Sequence, residues 1–231
     1  MLPSLVAAVV CLHTVSCGID SLVYLNASPI LVSADDKNIV FRMPTATSET
    51  GSYLGVELYY RIYATIEAAE ADKATISSVQ AAEDYFPGSE VKSHLLNISS
   101  IDYSKLALDR IISVPAIPEE TAPAGALISL EFPSTLSAAP AVIIRDATTR
   151  NVLDTFIMSR SILVSGTNNY ASFFKEPART DADFDYSSTD TDPGTYYLQF
   201  FAAAYGMDFA SFEELYGRAL YLGRIVLDLF E

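Results

Sequence analysis

The feature that most restricts what this chain can fold into is a two-residue hydrophobic period over residues 55–64. Val56, Leu58, Tyr60 and Ile62 fall on one side of an extended chain, and Glu57, Tyr59, Arg61 and Tyr63 on the other. Successive side chains of a strand point to opposite faces, so this spacing predicts a strand with one face on a core and one toward solvent. Residues 38–43 repeat the pattern with Ile39, Phe41 and Met43 inward. Further strands are predicted over 126–132, 141–145, 151–158, 195–205 and 219–227. Between the second and third of these, Asp146 to Arg150 is a polar turn sequence, which predicts a hairpin. The chain is expected to be mainly β and to bury its strands in a sandwich.

One stretch departs from that period. Residues 66–84 are rich in Ala and Glu, and Ala69, Ile76, Val79 and Ala82 fall near one helical face that ends at Tyr85 and Phe86. Small side chains along that face predict a helix laid closely over the sheet or against the sandwich edge. Residues 113–125 hold Pro115, Pro118 and Pro123 and read as an extended loop. The turn over 208–217 is expected to contain a single helical turn at 211–216.

The strands near the two ends carry a family resemblance. Asp192-Pro193-Gly194-Thr195-Tyr196-Tyr197, running into an alternating strand that ends at Ala204-Tyr205-Gly206, resembles the penultimate strand of a fibronectin type III domain. Residues 55–64 resemble the Tyr-rich third strand of that fold, and 219–227 its last strand. The resemblance implies a fibronectin type III or immunoglobulin-like β-sandwich. Tyr196, Leu198, Phe200, Ala202 and Ala204 are expected inward, since the other register buries Gln199, although this places the corner tyrosine one residue earlier than the family's Thr-x-Tyr spacing. Such a sandwich takes about 90–100 residues, roughly half of this chain, so the expected organisation is one embellished domain over 17–231 with an inserted helix and long loops at about 65–125.

The first residues read as an export signal. No charged side chain precedes Asp20, and Leu5 to Leu12 form an apolar run too short to span a bilayer of about 30 Å as a helix. Residues 1–16 are therefore expected to be a signal peptide. His13-Thr14-Val15-Ser16-Cys17-Gly18 resembles the lipobox of bacterial lipoproteins, in a relaxed form similar to that of spirochaetes, particularly treponemes. The resemblance implies cleavage before Cys17 and acylation of that cysteine, which anchors the chain in the cell envelope, on its periplasmic or outer-membrane face. Two or more acyl chains are needed for stable anchoring, since each buried methylene contributes about 0.8 kcal/mol.

Charge and residue counts remove several function classes. A formal net charge of -15, from 29 acidic and 14 basic side chains, repels phosphate backbones and argues against nucleic-acid binding. Both cysteines, Cys11 and Cys17, fall in the first 17 residues, and the histidines are His13 and His94, so multi-His zinc sites and His-dependent triads lack their parts. No cofactor motif is present, and no cofactor is expected. Asp181, Asp183 and Asp185, with Asp192 at the twelfth position, mimic the ligand spacing of a calcium loop, although Tyr186 stands where glycine is required. The plainer expectation is a solvated acidic loop. Glu119-Glu120 and Glu213-Glu214 are the carboxylate pairs a glycosidase would draw on, and surface solvation is again the plainer reading. Tyr59 and Tyr63, outward on the strand pattern, serve either as an amphipathic recognition surface or as cross-strand packing. The sequence thus points to a non-enzymatic, lipid-anchored envelope protein with a protein partner, and its alternatives are a glycan hydrolase and a calcium-dependent adhesin.

Overall fold

A computed structural model describes residues 25–45, 52–92, 101–109, 115–135, 137–167, 169–186 and 194–229. The expected leader over 1–16, Cys17, His94 and Asp192 lie outside these residues. In chain order the strands are β1 (Ile30–Ala34), β2 (Asn38–Arg42), β3 (Ser52–Tyr63), β4 (Ser104–Lys105), β5 (Ala107–Leu108), β6 (Ile117–Pro118) and β7 (Leu127–Glu131). Then come β8 (Ala141–Arg145), β9 (Val152–Ser159), β10 (Phe184–Asp185), β11 (Thr195–Asp208), β12 (Glu213–Tyr216) and β13 (Leu220–Asp228). The helix α1 (Ile66–Gln80) follows β3.

The strands form a two-sheet β-sandwich with an inserted helix. The first sheet runs β1-β2-β7-β8-β9-β5, and the second is centred on β3 and β11, with β12 and β13 also on β11 and β4, β6 and β10 on β3. All pairings are antiparallel except that of β10 with β3. The three strands that carry the type III resemblance lie side by side as β3-β11-β13. Between the sheets, Ile39, Phe41, Ile128, Ile144 and Phe156 of the first meet Leu58, Tyr60, Leu198, Phe200 and Ile225 of the second. Ile39, Phe41, Leu58, Tyr60, Leu198 and Phe200 are among the residues expected to face inward. The expected hairpin is β8-β9, its turn held by Asp146 Oδ1, which accepts from the Thr148 and Thr149 amides.

The second sheet is buried on both faces, which corrects the outward placement of Tyr59 and Tyr63. A second apolar cluster joins Tyr59, Tyr63, Phe201, Ala203 and Tyr205 of that sheet to Ala69 and Ile76 of α1, together with Ile101 and Tyr103. The helix lies over the sheet as its small side chains predict, so the face that alternation alone assigns to solvent becomes a second core. Gln199, expected outward in solvent, is buried for the same reason: its Nε2 donates to the Ala69 carbonyl at 2.7 Å and its Oε1 accepts from Tyr103 at 2.7 Å. Thr65 caps α1 by accepting from the Ala68 amide. The helix ends at Gln80 rather than 84, where Gln80 Nε2 donates to the Ala219 carbonyl and Glu90 and fastens that end to the sheet.

Residues 211–216 do not form the expected helical turn. β11 continues to Asp208 and folds back into β12, with Tyr205 opposite Tyr216 and Asp208 opposite Glu213. The aromatic pair Tyr205 and Tyr216, edge to face at 5.5 Å, buries itself on the second cluster and pulls the segment into the sheet.

Candidate interaction surface

The calcium-like aspartates are divided between two arginines. Arg160, fully buried, donates from Nε to Asp183 Oδ2 at 2.9 Å and from Nη2 to Asp183 Oδ1 and to Asp181 Oδ2 at 2.6 Å. Tyr60 O–H also donates to Asp183 at 2.6 Å and receives the Ser161 amide at 2.7 Å. Asp185 turns to the other side of β3 and accepts from Arg61 Nη2 at 2.8 Å. A carboxylate filled by a guanidinium fork has little left for a cation. This constellation therefore pins residues 160–185 to β3.

The adjacent glutamates do not face one another across a cleft. Glu119 and Glu120 are exposed in the turn after β6. Glu213 is exposed, while Glu214 accepts from Tyr205 at 3.3 Å and Tyr216 at 3.0 Å. The carboxylate that sequence reasoning missed is Glu57, buried on β3 with Lys105 at 3.5 Å. Burial holds its carboxyl above the ordinary range, against the pull of Lys105. Its signal was its place in a strand whose other polar-side positions are tyrosine and arginine.

Tyr63 and its neighbours form an internal polar layer rather than a recognition surface. Tyr63 donates to Asp72 at 2.9 Å, its oxygen lies 2.8 Å from that of Tyr103, and Tyr103 donates to Gln199. Burial raises both phenols far above the ordinary tyrosine range.

The aromatic side chains that do reach solvent are elsewhere. At the tip of the β11-β12 hairpin, Phe209 is 57% and Phe212 76% exposed. Asp208 builds this tip, its carboxylate accepting from the Ala210 amide at 2.9 Å and the Ser211 hydroxyl at 2.8 Å, while the Phe212 amide donates to the Asp208 carbonyl at 2.7 Å. Phe212 has φ 59°, a left-handed conformation that costs a bulky residue about 1–2 kcal/mol. The loop thus holds an aromatic ring in water on a strained backbone. Strain of this kind persists where surrounding structure enforces it, and it concentrates at binding sites.

Charge surrounds the two rings. Asp208 and Glu213 sit directly opposite each other across the hairpin, a like-charge pairing that is unfavourable in the isolated chain. The backbone N–H of Ala210 holds the Asp208 carboxyl below its ordinary range, so it remains ionised at neutral pH. Among the described residues neither acid has a cation within ion-pair distance.

The fold and this surface define a β-sandwich that displays an acid-flanked aromatic hairpin. No family model, curated protein or solved structure matches the chain. No helix among the described residues is long and apolar enough to cross a membrane.

Proposed function

We propose that this chain is a non-enzymatic, lipid-anchored protein of a bacterial cell envelope that binds another protein through the β11-β12 tip. The observation that carries the reading is the exposed pair Phe209 and Phe212, fixed by Asp208 on a strained backbone and flanked by unpaired acids. Aromatic anchors with a polar rim are the usual centre of a protein interface, and the acids call for a partner whose apolar pocket is edged by Lys or Arg. Insertion of the tip into a bilayer is disfavoured by the same acids, because anionic headgroups repel them.

Anchoring rests on the lipobox-like residues around Cys17. Seven residues, eight steps along the chain, separate Cys17 from Leu25, a reach of at most about 28 Å. Leu25 is buried beside Gly217, at the end of β12 away from the tip. The four residues of β12, five steps of about 17 Å in all, separate Gly217 from Phe212. A tether this short keeps the hairpin near the bilayer and suits a membrane-proximal partner.

Two measurements test the reading. Mass spectrometry of the mature N-terminus is expected to find acylated Cys17, and Cys17→Ala to release the chain from membranes. Chemical cross-linking in intact cells is expected to give a discrete protein adduct that Phe209→Ser/Phe212→Ser loses while thermal unfolding stays unchanged. An adduct of undiminished yield from that variant overturns the tip's role.

A further inference from the structure

Among the described residues β1 pairs with β2 alone, which makes it an edge of the first sheet. All five of its residues, Ile30–Ala34, are exposed. Pairing sets Leu31 opposite Phe41 and Ala34 opposite Ile39, both fully buried core residues, so Leu31 and Ala34 occupy inward positions. Leu31 is nevertheless 38% exposed, and Ile30 and Val32 are 55% and 52% exposed. β13 packs against the far end of the strand, where Gly223 lies against Ala34 and the Val226 amide donates to the Asp36 carbonyl at 3.1 Å. The strand thus leaves apolar side chains in water on both of its faces.

Soluble proteins commonly blunt such an edge with a charge, above all lysine, placed in the strand. Here no charged side chain stands between Asp20 and Asp35, in a chain of net charge -15. The one protective device is a bulge between Leu31 and Ser33, which takes Val32 out of the ladder with β2 and shortens what can pair on the open side. An edge strand also carries backbone N–H and C=O groups, which hydrocarbon cannot satisfy and another strand can. The surface therefore calls for a strand that is uncharged and apolar on both faces, and β1 is itself such a strand.

We infer that two copies of this chain pair through β1, antiparallel about a two-fold axis at Val32, and so join their first sheets into one. Charge sets the direction. With Val32 on the axis, Ile30 meets Ala34 of the second copy, while Asp35 and Asp36 fall opposite Pro29 and Ser28. An in-register parallel pairing sets Asp35 against Asp35, a like-charge contact that destabilises a sheet. A two-fold contact closes on itself and gives a dimer. It also suits the N-terminal side of the chain. An axis along the membrane normal holds both Leu25 residues, where the described chain begins, at one height, so both proposed lipid tethers reach the same bilayer. Copies confined there raise their own effective concentration, which supports a contact only five residues long. The strand shares no residue with the hairpin tip, and the inference does not depend on the tip's role.

Symmetry gives a sharp test. Membranes from cells making the full chain are oxidised with Ile30→Cys, Leu31→Cys, Val32→Cys, Ser33→Cys and Ala34→Cys in turn, and the parent chain supplies the background. Disulfide dimers are expected to peak at Val32→Cys. Positions 30 and 34 lie four strand steps, about 13 Å, from their own copies, beyond the roughly 7 Å between Cα atoms that a disulfide can bridge. Ile30→Cys and Ala34→Cys made in the same cell are therefore expected to cross-link to each other and not to themselves. Adding Ile30→Lys to the Val32→Cys chain places a charge in the paired edge and is expected to lower the dimer yield at least about tenfold. The position is already exposed, so the fold is expected to tolerate it, and circular dichroism with thermal unfolding checks this; Ile30→Ser is read the same way. Yields at background, yields equal across positions 30–34, or a Val32→Cys dimer untouched by folded Ile30→Lys each overturn the inference. The dimer is expected to survive Phe209→Ser/Phe212→Ser, so its failure and the failure of the tip reading are seen separately.

Discussion

Arg160→Met is expected to be among the most damaging single substitutions in the described fold. Arg160 and Asp183 are both fully buried, and the guanidinium meets Asp183 through Nε and Nη2 and Asp181 through Nη2. Methionine fills much of the volume but leaves the Asp183 carboxylate with Tyr60 O–H as its remaining side-chain donor. Removing one partner of a buried ion pair costs about 3–5 kcal/mol because the other charge is stranded. With a urea m-value of about 2–3 kcal/mol/M for a domain of this size, the midpoint falls by about 1–2 M. Arg160→Met/Asp183→Asn removes the stranded charge and is expected to recover about half of the loss. Equilibrium urea unfolding at neutral pH reads both variants. A deficit below about 1 kcal/mol would refute the claim that this pair pins residues 160–185 to β3.

Other consequences are open to direct measurement. Phe212→Gly and Phe212→Ala delete the same ring, but the left-handed backbone favours glycine, so the Gly variant should be more stable by about 1 kcal/mol in urea unfolding. Glu57 carries a carboxyl raised chiefly by burial, and its contribution is present below the unfolded value of about 4.3 and lost as pH rises through the folded one. The stability of Glu57→Gln relative to the parent should therefore improve from pH 4 toward pH 7, as thermal scans across that range report. Gln199→Leu removes the acceptor of the Tyr103 hydroxyl and a donor to the Ala69 carbonyl beneath α1 and should cost about 1–3 kcal/mol, with hydrogen exchange of α1 accelerated more than that of β7.

Strands were the most legible part of the fold, because a core on one side writes a two-residue period into β2, β3, β7 and β8. The second face of β3 and β11 was not legible. Tyr63 and Gln199 carry polar atoms and read as solvent-facing, yet a hydroxyl or amide is buried at little cost when Asp72, Tyr103 or a helix carbonyl receives it. The Ala-rich face of 66–80 held the clue, since small residues allow the close approach that gives the tyrosines a cover. The aspartate spacing at 181–185 was visible, but the arginine that neutralises it lies 21–23 residues away and is found only by folding. The tip was misread for a local reason. Residues 211–216 have helix-compatible composition, and the register of Tyr205 against Tyr216 overrides it.

The most direct test of the account is site-specific photo-cross-linking from position 210, whose side chain is exposed between the two phenylalanines and whose amide alone takes part in the Asp208 turn. In intact cells a photoreactive residue there is expected to give a discrete adduct with a protein, abolished by Phe209→Ser/Phe212→Ser in the same chain. Adducts with lipid alone, or a protein adduct that survives loss of both rings, would contradict it.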